Sequence, residues 1–90
     1  MRSDIMVRMD LSNRHRDTVE HIFAHNRNVE WRHVRSLLEA AGTVVEEPNG
    51  KLRVTLGDET EVFVPPHGKD ADVQQLVDLR RMLKNAGFAP

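Results

Sequence analysis

The sequence predicts a small α+β domain of two layers, in which helices cover one face of an antiparallel sheet. Two early segments and the last one repeat apolar residues with the 3.6-residue period of a helix. Between them the period changes to two, and turn residues separate three short segments that alternate apolar and polar residues. The predicted order in this chain of 90 residues is therefore helix, helix, three strands, helix.

The first two helices are predicted from their caps and their apolar spacing. Ser12 or Asn13 is a good N-cap for a short first helix. Its apolar side comprises Val19, Ile22 and Phe23. Asn28 is placed to cap a second helix over residues 29–41, which Gly42 ends. The apolar stripe of that helix comprises Trp31, Val34, Leu37, Leu38 and Ala41. We expect Trp31 to pack in the core, because one indole anchors a small domain.

Three strands are predicted near 43–47, 51–56 and 60–64. Tight turns at residues 48–50 and 57–59 join them, which is typical of an antiparallel meander. Pro65 and Pro66 end the third strand, since proline cannot donate to a strand ladder. The last helix is predicted over residues 72–86, with Asp70 or Asp72 as its cap and Gly87 after its end. Its expected apolar side comprises Val73, Leu76, Val77, Leu79, Leu83 and Ala86.

Composition narrows the class of protein. The chain has no cysteine, so neither disulfides nor thiolate chemistry are expected. No apolar run approaches the ~20 residues that span a bilayer, and the first residues lack the apolar block of a signal peptide. We therefore expect a cytoplasmic protein, with a loosely held segment over residues 1–11 and a single domain over residues 12–90.

Charge is balanced over the whole chain but not along it. The net charge is −1, from 13 basic and 14 acidic residues. Residues 1–36 carry seven arginines against five acids, whereas residues 43–64 carry Lys51 and Arg53 against five acids. Such asymmetry can produce a basic patch that binds phosphate. The alternative is an ordinary solvated surface of mixed charge.

Three segments carry a resemblance to a known family: IFAHNRNVEWRHVRSLLEAAG, VFVPPHGKD and LRRMLKNAGF. In this order and spacing, from about Thr18 to Phe88, the chain resembles the HicA family of bacterial toxins, in a form with an extra leading helix. The resemblance implies a double-stranded-RNA-binding-like α-β-β-β-α core preceded by one extra short helix. It also implies an mRNA interferase, that is, a metal-independent endoribonuclease, together with a HicB-type antitoxin partner and no cofactor.

One position departs from the family pattern. HicA proteins carry Gly-Ser-His at the start of the second strand, whereas this chain has Asn49-Gly50-Lys51. A lysine side chain is almost fully protonated at pH 7, unlike a histidine. Lys51 therefore suits phosphate binding better than the proton transfer that ribose cleavage requires. We predict RNA binding, with ribonuclease activity left open.

The candidate RNA-binding residues are Lys51, Arg53, Arg32, Arg35 and Lys69. His67, in the family's Pro-His loop, is with Lys51 the candidate catalytic residue; the alternative is that His67 helps to close the corner between strand and helix. A basic surface that joins the predicted cations would favour RNA. A broad apolar or acidic face would favour the alternative function, a non-catalytic protein-interaction module that binds a HicB-like or other protein partner.

Two further patterns have plainer interpretations. His21 and His25 are four apart, the spacing of a two-histidine metal site, but no third ligand is evident. We therefore expect no metal. Arg80, Arg81 and Lys84 share the polar side of the last helix. They form either a weak row of contacts to an RNA backbone or a solvated face.

Overall fold

The computed structural model describes residues 11–24 and 28–88. Within them the chain has the predicted α+β class and element order. The elements are α1 (Asn13–Phe23), α2 (Trp31–Ala41), β1 (Thr43–Glu46), β2 (Leu52–Leu56), β3 (Glu59–Phe63) and α3 (Val73–Asn85). None of these helices has the length and apolar character needed to cross a membrane.

The three strands form one antiparallel sheet in the order β1-β2-β3. In its register Val54 of β2 lies opposite Val44 of β1 and Glu61 of β3. Leu52, Val54 and Leu56 are buried, whereas Arg53 between them is exposed. Since successive side chains of a strand point to opposite faces, the helices cover one face of the sheet. The other face, called here the open face, carries Arg53.

A single cluster of buried side chains joins the helices to the covered face of the sheet. Its members are Val19, Ile22, Val29, Val34, Leu37, Leu38, Leu52, Val54, Leu56, Phe63, Ala71, Leu76, Leu79, Met82 and Leu83. The apolar sides predicted for the first two helices are confirmed. Trp31 is partly buried against this cluster, with its ring centroid 6.3 Å from that of Phe63.

The buried side of α3 differs from the predicted one. Val73 and Val77 are 75% and 42% exposed, so their assignment to the apolar side is wrong. Met82 and Gln75 are buried instead. The buried leucines of the predicted side, Leu76, Leu79 and Leu83, keep their place, and Gln75 lies beside them with its side chain donating to the carbonyl of Val64 over 2.6 Å. The two valines fall outside this buried side and face solvent.

The ends of α3 are as predicted. Asp72 is the N-cap, and it forms a reciprocal capping box with Gln75. At the other end Gly87 has a φ of 89°, and Phe88 donates its N–H to the carbonyl of Leu83 over 2.8 Å. This is a Schellman motif, in which glycine supplies the left-handed conformation that ends the helix.

The start of α2 is two residues later than predicted, and Asn28 is not its cap. Glu30 is the N-cap, without a side-chain hydrogen bond. The preceding backbone is paired with the loop that follows β3: Ala71 donates to the carbonyl of Val29 over 2.9 Å, and Trp31 donates to the carbonyl of Lys69 over 2.8 Å. This pairing holds residues 29 and 30 extended and delays the helix.

The described chain begins just before α1. Ser12 caps α1 through its side chain, which accepts from the N–H of His15. Leu11, the last residue of the segment predicted to be loosely held, is partly buried against the core. The rest of that predicted segment, residues 1–10, lies outside the described residues.

Gly42 ends α2 at a position where a side chain would clash with the sheet. Its φ is −161°, an extended conformation that any residue adopts. A Cβ atom at this position, however, would lie 2.0 Å from the carbonyl oxygen of Thr55 on β2. Only a residue without a side chain lets the end of α2 approach the sheet this closely.

We predict that Gly42→Ala lowers the free energy of unfolding by about 1–3 kcal/mol, because the added methyl group forces α2 away from β2. Urea denaturation measures the change. Gly68→Ala is the matched control, since a Cβ there meets no atom within 4 Å; it should leave stability unchanged or raise it by up to about 1 kcal/mol. An equal change in the free energy of unfolding for Gly42→Ala and Gly68→Ala would contradict the close approach of the end of α2 to β2.

Candidate nucleic-acid interface

The topology brings three of the predicted RNA-binding residues to one end of the molecule. Lys51 comes directly before β2, whose first residue Leu52 pairs with the last residue of β3. The loop of residues 64–72 begins directly after β3. Within it the backbone carbonyl of Lys69 accepts a hydrogen bond from the N–H of Trp31, at the start of α2. Arg32 follows directly. We call Arg32, Lys51 and loop 64–72 the loop end.

The two lysines of the loop end are exposed. Among the described residues, neither ammonium group has a carboxylate within ion-pair distance. The backbone on either side of them is fixed: the side chain of Asn49 accepts from the Lys51 N–H over 3.0 Å. The cations are therefore held on anchored backbone with their charge open to solvent.

The predicted arginines are all paired with carboxylates. Arg32 binds Glu30 at 2.8 Å through Nε, and Arg53 forms an ion pair with Glu47 on the open face. Arg35 binds Glu39 at 3.3 Å and lies 3.6 Å from Glu46. Glu46 is opposite Leu52 in the register and so belongs to the covered side. Because a glutamate accompanies each arginine, these residues and Lys51 present mixed charge and not a purely basic surface.

His67 lies in a groove of about 520 Å³ at the loop end. Three carboxylates, those of Asp70, Asp72 and Asp78, line the same groove, and one oxygen of Asp70 is buried without a hydrogen-bond partner in the described structure. These charges repel phosphate. The exposed imidazole of His67 has no hydrogen bond to any of them, so no acid–base pair is assembled here.

Gln75, and not His67, holds the corner between β3 and α3. In the described part of the chain the His67 side chain makes no hydrogen bond. The Gln75 side chain donates to the carbonyl of Val64 over 2.6 Å and accepts from the N–H of Asp72 over 3.0 Å. The alternative interpretation of His67 as a corner residue therefore has no contact to support it.

The open face of the sheet carries exposed apolar side chains beside Arg53. Val45, Arg53 and Val62 lie side by side across the three strands. The side chains of Val45 and Val62 are 50% and 51% exposed, and Val64 beyond them is 59% exposed. The alternation within β1 and β3 already indicated this exposure. Val45 and Val62 each lie one residue out of phase with the side chains that face the helices.

The two arginines of α3, Arg80 and Arg81, make contacts within the protein. Arg80 donates to the carbonyl of Ile22 over 3.0 Å and so ties α3 to α1. Arg81 forms an ion pair with Glu61 of β3. The hydrogen bond to that carboxylate raises the pKa of the Arg81 guanidinium above its ordinary value. Of the predicted row, only Lys84 has no such partner among the described residues.

Of the two histidines with metal-site spacing, His25 lies outside the described residues. His21 is exposed on α1. Within ranges 11–24 and 28–88, no group of three or more histidine, aspartate or glutamate side chains is arranged to hold a metal ion.

Comparison with known protein families, with curated proteins and with solved structures found no match. Assignment of function therefore depends on the chemistry of the residues described above and on the family resemblance of the sequence.

We predict that Gln75→Ala lowers the free energy of unfolding by about 1–3 kcal/mol, because the Val64 carbonyl and the Asp72 N–H lose their partner. His67→Ala should change it by less than about 0.5 kcal/mol, since the exposed imidazole contributes no hydrogen bond. Urea denaturation of both variants compares the two. A loss at His67 as large as that at Gln75 would show that the histidine does close the corner.

Proposed function

We propose that the chain is a HicA-like domain of the toxin–antitoxin type that binds RNA through its phosphates and does not cleave it. The element order α2-β1-β2-β3-α3 supports this family, because it is the α-β-β-β-α order that the sequence resemblance implies, with α1 as the extra leading helix. The observation that carries the RNA proposal is the position of Lys51 and Lys69 at the loop end, exposed and unpaired within the described structure.

Binding is electrostatic in this proposal. An ammonium group acts on phosphate as a point charge, and contacts to phosphate carry no sequence information. The RNA lies on the Lys51 side of the loop end, because the groove beside His67 is lined by three aspartates. Arg32 contributes with the donors that its Nε–Glu30 pair leaves free.

We expect no cleavage because the loop end lacks a pair of groups that could act as general base and general acid. Cleavage through the ribose hydroxyl requires a base and, opposite it, an acid. Lys51 stands where the family supplies histidine, and His67 makes no hydrogen bond to a second titratable group in the described structure. The loop end can thus hold a phosphate, but it lacks the pair that would transfer protons around it.

We predict that Lys51→Gln weakens RNA binding and flattens its salt dependence. Fluorescence anisotropy with a labelled RNA hairpin, between about 50 and 200 mM salt, should show the slope of log K against log salt reduced by about 0.7–0.9 for the one lost phosphate contact. Lys84→Gln is the matched control, because it removes the same charge from the far end of α3. Equal salt slopes for Lys51→Gln and Lys84→Gln would show that the loop end does not contact the RNA.

The same samples test cleavage. After incubation the RNA should remain intact on a denaturing gel with the unchanged chain and with His67→Ala. Cleavage that depends on His67 would overturn the binding-only proposal and restore the ribonuclease reaction.

A second candidate function is favoured by the open face, where Val45, Val62 and Val64 are half-exposed or more. An exposed apolar patch suits a protein partner, here one of HicB type with an acidic group to meet Lys51 and Arg53. Co-purification with the product of an adjacent HicB-like reading frame tests it. Val62→Ser should weaken that complex and leave RNA affinity unchanged; a complex unaffected by Val62→Ser would exclude the open face.

A further inference from the structure

A second group of basic side chains lines a cleft between α1 and α2. The cleft has a volume of about 310 Å³. It is lined by Arg14, His15, Thr18, Arg32, His33 and Ser36. All the titratable side chains in this lining are arginine or histidine. The cleft therefore offers hydrogen-bond donors and positive charge in a concave site, without a carboxylate in its described lining.

His15 is fixed in this cleft by two hydroxyl groups. Its Nδ1 lies 3.0 Å from Oγ of Ser12, and its Nε2 lies 3.0 Å from Oγ of Ser36 on α2. A neutral imidazole donates through one nitrogen and accepts through the other. When Nε2 donates, the Ser36 hydroxyl accepts and its own proton stays free to donate to a ligand in the cleft.

This Ser-His-Ser chain favours binding over nucleophilic catalysis. In a serine triad a carboxylate orients the histidine and stabilises the imidazolium that forms during attack. Here Ser12 occupies that position relative to His15, and a neutral hydroxyl stabilises an imidazolium poorly. Ser36 thus lacks the support that would make it a nucleophile.

The two arginines of the cleft retain most of their donors. In the described part of the chain, the Arg14 guanidinium has no carboxylate partner. Arg32 uses Nε for Glu30, and its side chain is 77% exposed, so its two Nη groups remain available. Planar guanidinium groups match the oxygens of a phosphate with paired hydrogen bonds.

We propose that the cleft between α1 and α2 binds a phosphate group, and that this phosphate belongs to the backbone of the RNA bound at the loop end. This inference rests on the proposed function. Arg32 connects the two sites, because it lines the cleft and directly follows Trp31, which is bonded to Lys69. An RNA backbone that passes Arg32 therefore reaches both the lysines of the loop end and Arg14.

The test uses Arg14→Gln in the full chain, because Arg14 belongs to the cleft and not to the loop end. In the anisotropy assay with the labelled hairpin, the salt slope should fall by about 0.7–0.9 for the lost contact. Lys84→Gln is again the control of equal charge, and Arg14→Lys should retain the slope but lose affinity, since a lysine cannot make the paired hydrogen bonds. Circular dichroism of each variant checks that the fold is kept. If the salt slope of Arg14→Gln equals that of Lys84→Gln, the cleft does not bind the RNA phosphate, although RNA binding at the loop end can still hold.

A second measurement separates the two possible sources of the phosphate. Sodium phosphate is titrated into the ¹⁵N-labelled chain at constant ionic strength, and the amide signals of His33 and Ser36 are followed. Saturable shifts that Arg14→Gln removes support a phosphate site even if the hairpin RNA does not bind, in which case the source is a free phosphorylated molecule and the proposed function fails. No saturable shift together with an unaltered salt slope in Arg14→Gln overturns the cleft as a phosphate site.

Discussion

The short backbone pairing between residues 29–31 and 69–71 determines the shape of the candidate interface. Two hydrogen bonds, from Ala71 to Val29 and from Trp31 to Lys69, connect the start of α2 to the loop after β3. They are satisfied by backbone alone, so they depend on the path of the chain more than on side-chain identity. Through them Lys69 comes to lie beside Arg32, and the Trp31 ring comes to pack near Phe63.

The distribution of ion pairs explains why binding, and not catalysis, is the function favoured here. On the described surface Arg35, Arg53 and Arg81 each form ion pairs with glutamates, as in Arg53–Glu47 and Arg81–Glu61. Exposed pairs of this kind add little stability, but they reduce the positive potential that phosphate meets. Lys51, Lys69 and the Nη groups of Arg32 are among the cationic groups of the described residues that remain open to a ligand. Proton transfer would need a further titratable partner for His67, and none is bonded to it among the described residues.

Local signals in the sequence predicted the elements well, and contacts between distant segments account for the errors. Capping residues and apolar period identified every helix and strand described, and the roles of Asp72 and Gly87 were predicted from their types. The late start of α2 and the inward position of Gln75 were not predictable, because each depends on a hydrogen bond to the loop after β3. The cleft was missed for the same reason: His15 and Ser36 meet only when α1 lies against α2.

In the proposed function this chain contacts RNA at the loop end. Amide chemical-shift mapping of the ¹⁵N-labelled chain with the hairpin RNA locates the contact residue by residue. We expect the largest shifts at Arg32, Lys51 and Lys69, and we expect them to disappear as salt is raised. Shifts concentrated instead at the opposite end, where Asn85 binds Glu59, would contradict that proposal.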